Sequence, residues 1–142
     1  MIRLMITLSL LVLMIGGGLL EQSYLDKSYK RLSNDLDALI AVMTTQIEDA
    51  EYAGYEAKDA KIDTDANIKK VNDMHNFWIK RERKLAMITR HFDLAQISDA
   101  LIYMKNFVEF GNAEEAFAGA KRLRYLIDVH LFNFGTNVQN VI

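Results

Sequence analysis

From Leu4 to Leu20 the chain runs seventeen residues without a charge, and Arg3 is the only charged side chain among the first 20. As a helix, at about 1.5 Å per residue, that stretch reaches roughly 25 Å, short but sufficient for the hydrocarbon core of a bilayer. Residues 1–20 are therefore expected to be a transmembrane anchor and 21–142 a single helical domain. A cleaved signal peptide is the rival, because Leu4 to Ile15 has the length of a signal h-region and Gly16 and Gly18 stand where small residues precede a cleavage site. The apolar run continues through Leu19 and Leu20, which favours an uncleaved signal-anchor. Lys27, Lys30 and Arg31 follow the span while Arg3 and the amino terminus precede it, so the positive-inside count nearly balances. The expectation adopted is a single-pass protein of the cell membrane with its C-terminal domain extracytoplasmic. Gly16, Gly17 and Gly18 suit close packing on another transmembrane helix or, more simply, a tolerated flexible spot in the span.

Beyond residue 20 the chain holds 16 basic and 19 acidic groups, which gives neither a nucleic-acid footprint nor an acidic tail. With no Cys there is no disulfide framework, thiolate zinc site, cysteine nucleophile or lipidated cysteine. The absence of Pro suits a chain that is nearly all helix.

A phrase occurs twice. Its first copy is Asp37-Ala38-Leu39-Ile40, eight residues, then Asp49-Ala50-Glu51 through Gly54 to Lys58. The second is Asp99-Ala100-Leu101-Ile102, nine residues, then Asn112-Ala113-Glu114 through Gly119 to Lys121. Each copy reads as a helix that stops, an Asp or Asn capping a new N-terminus, and a second helix opening with alanines at close-packing spacing. The expected fold is all-α. An N-terminal transmembrane helix continues into an antiparallel bundle of two helical hairpins, tetratricopeptide-like in local packing though not a tandem repeat array.

In order, Leu25, Tyr29, Leu32, Leu36, Leu39, Ile40, Met43 and Ile47 fall at steps of three and four, one face of a helix with no breaker between it and the span. From Asp49, Ala57, Thr64, Val71, Trp78, Leu85 and Phe92 recur every seven residues, which favours one continuous helix. Asp63-Thr64-Asp65 is the contrary signal, able to cap a fresh start. A continuous helix antiparallel to the first would set Trp78 with Lys80, Arg81, Arg83 and Lys84 at headgroup level. The simpler alternative makes Trp78 a core anchor and the basic run a solvated face. A turn is expected near His91-Phe92-Asp93, then a helix on Ile97, Leu101, Met104 and Val108 ending at Gly111. Asn112 with Glu115 makes a capping box for a last helix on Ala116, Ala120, Leu123, Ile127 and Leu131, stopped by Gly135. The tail from Val138 to Ile142 is apolar enough to pack back on the bundle.

For chemistry, His91 with Asp93 and Asp128 with His130 pair an imidazole with a carboxylate. Residues two apart on a helix point about 200° from each other, so neither pair can chelate alone. The structural reading of His91 and Asp93 is hydrogen bonding at a helix junction. Glu48, Asp49 and Glu51 suit a weak cation site or a helix N-terminus. Lys121, Arg122 and Arg124 either join the Lys80–Lys84 run as a patch for anionic lipid or wall polymer, or are a solvated face. Nothing resembles a phosphate loop, a nucleophile elbow or a two-His zinc helix. No catalytic, cofactor-binding or metal residues are assigned, and no enzyme is expected.

Trp78, then Leu85, Ile88, His91, Asp93 and Ile97, the Gly111 to Ala120 stretch and the closing Asn140-Val141-Ile142 resemble an uncharacterised bacterial family, domain of unknown function four-three-six-three. The resemblance covers most of the chain. It implies a single N-terminal span, a helical domain, and genes beside poorly characterised multi-span membrane proteins, with no catalytic residues. The leading functional expectation is thus a membrane-anchored, non-enzymatic interaction module of the cell envelope that docks another membrane protein. The alternative is an extracytoplasmic sensor or binder of a small ligand, lipid headgroup or wall polymer, and the third is a metal-dependent enzyme built on His91 and His130. Helices of this type also self-associate, so a homo-oligomer is compatible with the sequence.

Overall fold

The computed structural model describes the backbone of residues 2–87 and 89–139 and the side chains of residues 5–87 and 89–132. Regular structure among the described residues is helical throughout: α1 (Ile2–Tyr52), a 3-10 turn (Ala57–Asp59), α2 (Asp65–Leu85), α3 (His91–Glu109) and α4 (Ala113–Gln139).

α1 runs unbroken from the apolar segment into the bundle. Leu25, Tyr29, Leu32, Leu36, Leu39 and Met43 are its buried face. Steps of four and three keep that stripe pointing one way, and each fully buried Leu contributes about 1.5–3 kcal/mol. Before Gln22 the described side chains of the helix are exposed. An 18-residue window has a mean hydropathy of 1.7 with none of it buried, long and apolar enough to cross a membrane. A Cβ added at Gly16, Gly17 or Gly18 meets nothing within 4 Å, so nothing among the described residues packs on them.

α1 packs on α2 and α4, and α3 packs on α2 and α4. The four helices therefore stand around a square with antiparallel neighbours, α1 diagonal to α3 and α2 diagonal to α4. Val71, Met74, Trp78 and Leu85 from α2, Leu94, Ile97, Leu101, Met104 and Val108 from α3, and Ala113, Ala116, Ala120, Leu123 and Ile127 from α4 close the core.

The expected bundle of two helical hairpins, α1–α2 and α3–α4, is present, but the repeated phrase sets its stop differently in the two copies, which corrects the cap expected at Asp49. In the second copy Gly111 ends α3 at φ +72°, where an L side chain would be strained. Gly111 N donates to the Val108 carbonyl at 3.2 Å and Asn112 N to that of Phe107 at 3.0 Å, a Schellman stop. Asn112 Oδ1 then accepts from Glu115 N at 3.1 Å, the expected cap. The capping box is only half made, since the Glu115 carboxylate accepts instead from the Tyr103 hydroxyl. In the first copy no glycine precedes Asp49, so α1 runs through it and Asp49 caps nothing. The stop comes at Gly54, φ +85°, with Gly54 N on Glu51 O at 3.0 Å and Tyr55 N on Ala50 O at 2.9 Å. The glycine of the second copy, Gly119, two residues out of register with Gly54, lies inside α4, where an added Cβ would come 3.1 Å from Met104 Cα. That glycine lets α4 close on the α3 backbone.

The continuous second helix is also corrected. After Gly54 the chain is irregular as far as Thr64, which starts α2 by accepting from Asn67 N at 3.3 Å. The sevenfold spacing holds for Val71, Trp78 and Leu85 inside α2, whereas Ala57 and Thr64 lie in the connection and Phe92 is exposed on α3. Ala60 and Ile62, both buried, hold the connection down. At the C-terminal end Gly135 does not stop α4, which continues to Gln139, and Asn140 to Ile142 lie outside the described residues.

Candidate functional site

Because α2 runs back along α1, its last turn returns to the end of the apolar segment. Lys84 and Met87 share a shallow pocket with Leu20, Glu21 and Tyr24. Immediately above it an open groove of about 660 Å³ runs along the seam between the two helices. α1 supplies Tyr24 and Arg31, one heptad apart, and α2 supplies Asp73, Asn76, Phe77, Lys80, Arg81 and Lys84, at steps that keep one face.

The groove holds four cations against the single carboxylate of Asp73. Aromatic rings position the two guanidinium groups. Arg31 lies 4.3 Å from the centre of the Phe77 ring, and Arg81 lies 4.9 Å from that of Tyr24 and 5.3 Å from that of Phe77. Such contacts are worth about 0.5–1 kcal/mol at exposed sites and leave the N–H edges of the guanidinium unused. Arg31 also reaches Asp35, at 3.8 Å. Among the described residues Lys80, Arg81 and Lys84 have no carboxylate within ion-pair distance. Three of the four basic residues singled out in the sequence thus meet in one groove. Arg83 lies outside it, in the last turn of α2, where a cation complements the helix dipole.

Trp78 is on the opposite face of α2 and fully buried, so it is a core anchor and not a headgroup-level ring. Its Nε1 donates to Ser98 Oγ at 2.7 Å, and Ser98 Oγ donates to Glu82 Oε1 at 2.7 Å. Its ring centre is 5.8 Å from that of Tyr29, which in turn stacks on His130 at 6.0 Å.

Neither histidine–carboxylate pair acts as a unit. The Asp93 charge acts on both His130 and Tyr29, but no ion pair or hydrogen bond joins Asp93 to His130 among the described residues, and His130 Nε2 is buried without a hydrogen-bond partner. Burial pushes the His130 imidazole below its ordinary value against the opposing pull of Asp93, and burial followed by Asp93 pushes the Tyr29 phenol up. His91 is exposed, and Asp128 is paired with Arg124, which also bonds Asp37 at 2.7 Å. A centre built on both histidines is therefore not assembled, and no group of three His, Asp or Glu side chains gathers for a metal among the described residues. Glu48, Asp49 and Glu51 lie near the C-terminal end of α1, not at a helix N-terminus. Lys121, Arg122 and Arg124 sit on α4, diagonal to α2, and do not join the Lys80–Lys84 run.

Sequence reasoning found the basic run but not Tyr24, Arg31 and Phe77, its partners across the seam. Phe77 four residues before Arg81 was the available signal, but Tyr24 and Arg31 join it only once the register of α1 on α2 is fixed. No family model matches the chain, and neither a curated protein nor a solved structure does.

Proposed function

We propose that the chain is a membrane-anchored, non-enzymatic interaction module of the cell envelope, with residues 1–20 as a single-pass anchor and the bundle docking another membrane or envelope protein. The observation that carries this reading is the unburied apolar stretch of α1, in line with the bundle on one helix. Soluble monomers rarely leave contiguous apolar patches beyond a few hundred Å² in water, and a lipid core removes that exposure. Docking is supported at the far end, where Tyr52 is 97% exposed, Tyr55 64% and Phe110 80%. Aromatic side chains so displayed suit the centre of a protein interface.

Photo-crosslinking in native membranes tests it. A photoreactive residue at Tyr55 should give one discrete adduct with another membrane or envelope protein, and one at Asp99 on the flank of α3 should not. Equal or absent adducts at both positions refute docking by the tip, and an adduct of twice the chain mass identifies a homo-oligomer. We place the bundle outside the cytoplasm. A single cysteine at Lys58 should react with an impermeant thiol reagent in intact cells, and protection until lysis would reverse the orientation.

A further inference from the structure

We propose that the α1–α2 groove is a binding site for the phosphate-bearing headgroup of an anionic phospholipid from the bilayer that holds α1. The inference rests on the membrane-anchor reading and adds a ligand to it. Height is the first argument. Lys84 and Met87 are level with Leu20, the last residue of the apolar segment, and Tyr24 and Arg31 follow it by about 6 and 16 Å along the axis at about 1.5 Å per residue. The headgroup layer is about 5–8 Å thick on each side of the core, so the lower part of the groove, with Tyr24, Lys80, Arg81 and Lys84, falls within it and Arg31 stands above it. Chemistry is the second. Arg31, Lys80, Arg81 and Lys84 converge against one carboxylate, and three of them have no internal ion pair among the described residues. Ring faces of Tyr24 and Phe77 hold the guanidinium groups without occupying their N–H donors, the geometry in which Arg takes a phosphate by paired hydrogen bonds. The third is Met87, 87% exposed beside Lys84, an apolar side chain suited to the acyl boundary below a headgroup.

The test uses the full chain purified in a neutral detergent. Native mass spectrometry counts bound phosphatidylglycerol against phosphatidylcholine of the same acyl chains. The variant R31Q/K80Q/R81Q/K84Q is compared with K58Q/K61Q/K69Q/K121Q, which removes the same charge elsewhere, and circular dichroism verifies that both fold. Parent and control should prefer phosphatidylglycerol. The groove variant should bind it at least tenfold more weakly, since each basic residue near an anionic surface contributes about a fivefold factor. Equal binding of the two lipids, or equal loss in both variants, overturns the site. Displacement of phosphatidylglycerol by millimolar inorganic phosphate overturns the lipid as ligand and leaves a free-phosphate site. Flotation with phosphatidylcholine vesicles separates the premises: a chain that does not float has lost its anchor reading, and one that floats without lipid preference has lost only the groove.

Discussion

Asn67→Ala should destabilise the bundle by about 2 kcal/mol, because one side chain fastens the connection between α1 and α2. Asn67 is 3% exposed, and its Nδ2 donates to the Ile62 carbonyl at 2.9 Å and to Gln46 Oε1 at 2.8 Å. Truncation orphans the Ile62 carbonyl in the interior, at about 1–3 kcal/mol. Gln46 is half-buried and takes water instead, so its share is small. Alanine returns about 0.5 kcal/mol as the better helix former. The net loss corresponds to about 8 °C in Tm at roughly 4 °C per kcal/mol for a domain of this size. Thermal unfolding of the full chain in detergent, followed by circular dichroism, reads it. Gln46→Ala should cost less than about 0.5 kcal/mol alone and leave the Asn67→Ala effect nearly unchanged in the double variant. If Asn67→Ala melts with the parent, or if Gln46→Ala accounts for the whole loss, the Ile62 carbonyl is not what the amide satisfies.

Gly54→Ala and Gly111→Ala each force a side chain to positive φ, at roughly 1–2 kcal/mol. Gly111→Ala should be the worse in chemical denaturation, because its Cβ would lie 3.3 Å from Asp63 Cγ while Gly54 faces open space. Trp78→Phe removes the donor to Ser98 from a buried site and should lower stability by about 1–3 kcal/mol, with Ser98→Ala recovering part of the loss. His130, lowered by burial, takes up its proton less readily folded than unfolded. Stability should therefore be full above the unfolded value of about 6.5 and fall as pH drops from there toward the lowered folded value, and His130→Phe should flatten that part of the pH profile.

The α1 face was legible in full, from Leu25 through Met43, because burial imposed a period on about five consecutive turns and no glycine interrupted it. Gly111 with Asn112 was legible for a related reason: a stop and a start stood side by side. The first copy of the phrase misled because an Asp is a capping residue only where the preceding helix has already ended, and nothing before Asp49 ends it. The sevenfold spacing from Ala57 to Phe92 misled because Ala57 and Thr64 are half-buried in the connection and Phe92 is exposed, so a coincidence of spacing was indistinguishable from a helix face. The groove was half legible. Lys80, Arg81 and Lys84 are adjacent in sequence, whereas Tyr24 and Arg31 reach them only through antiparallel packing. The influence of the Asp93 charge on His130, from α3 to α4, was equally hidden, since each residue's near neighbour in sequence carries the complementary group.

From Leu20 to Tyr52 the axis of α1 covers about 48 Å at about 1.5 Å per residue, with no joint between the two. Were its first twenty residues held in lipid, as proposed above, this helix would be a lever whose short arm is in the bilayer. Single spans lean anywhere from about 0 to 40° from the normal and adjust to hydrocarbon thickness. A change of about 10° would sweep the aromatic tip sideways by about 8 Å. Membrane thickness would thereby set where Tyr52 and Tyr55 are presented, without any change inside the bundle.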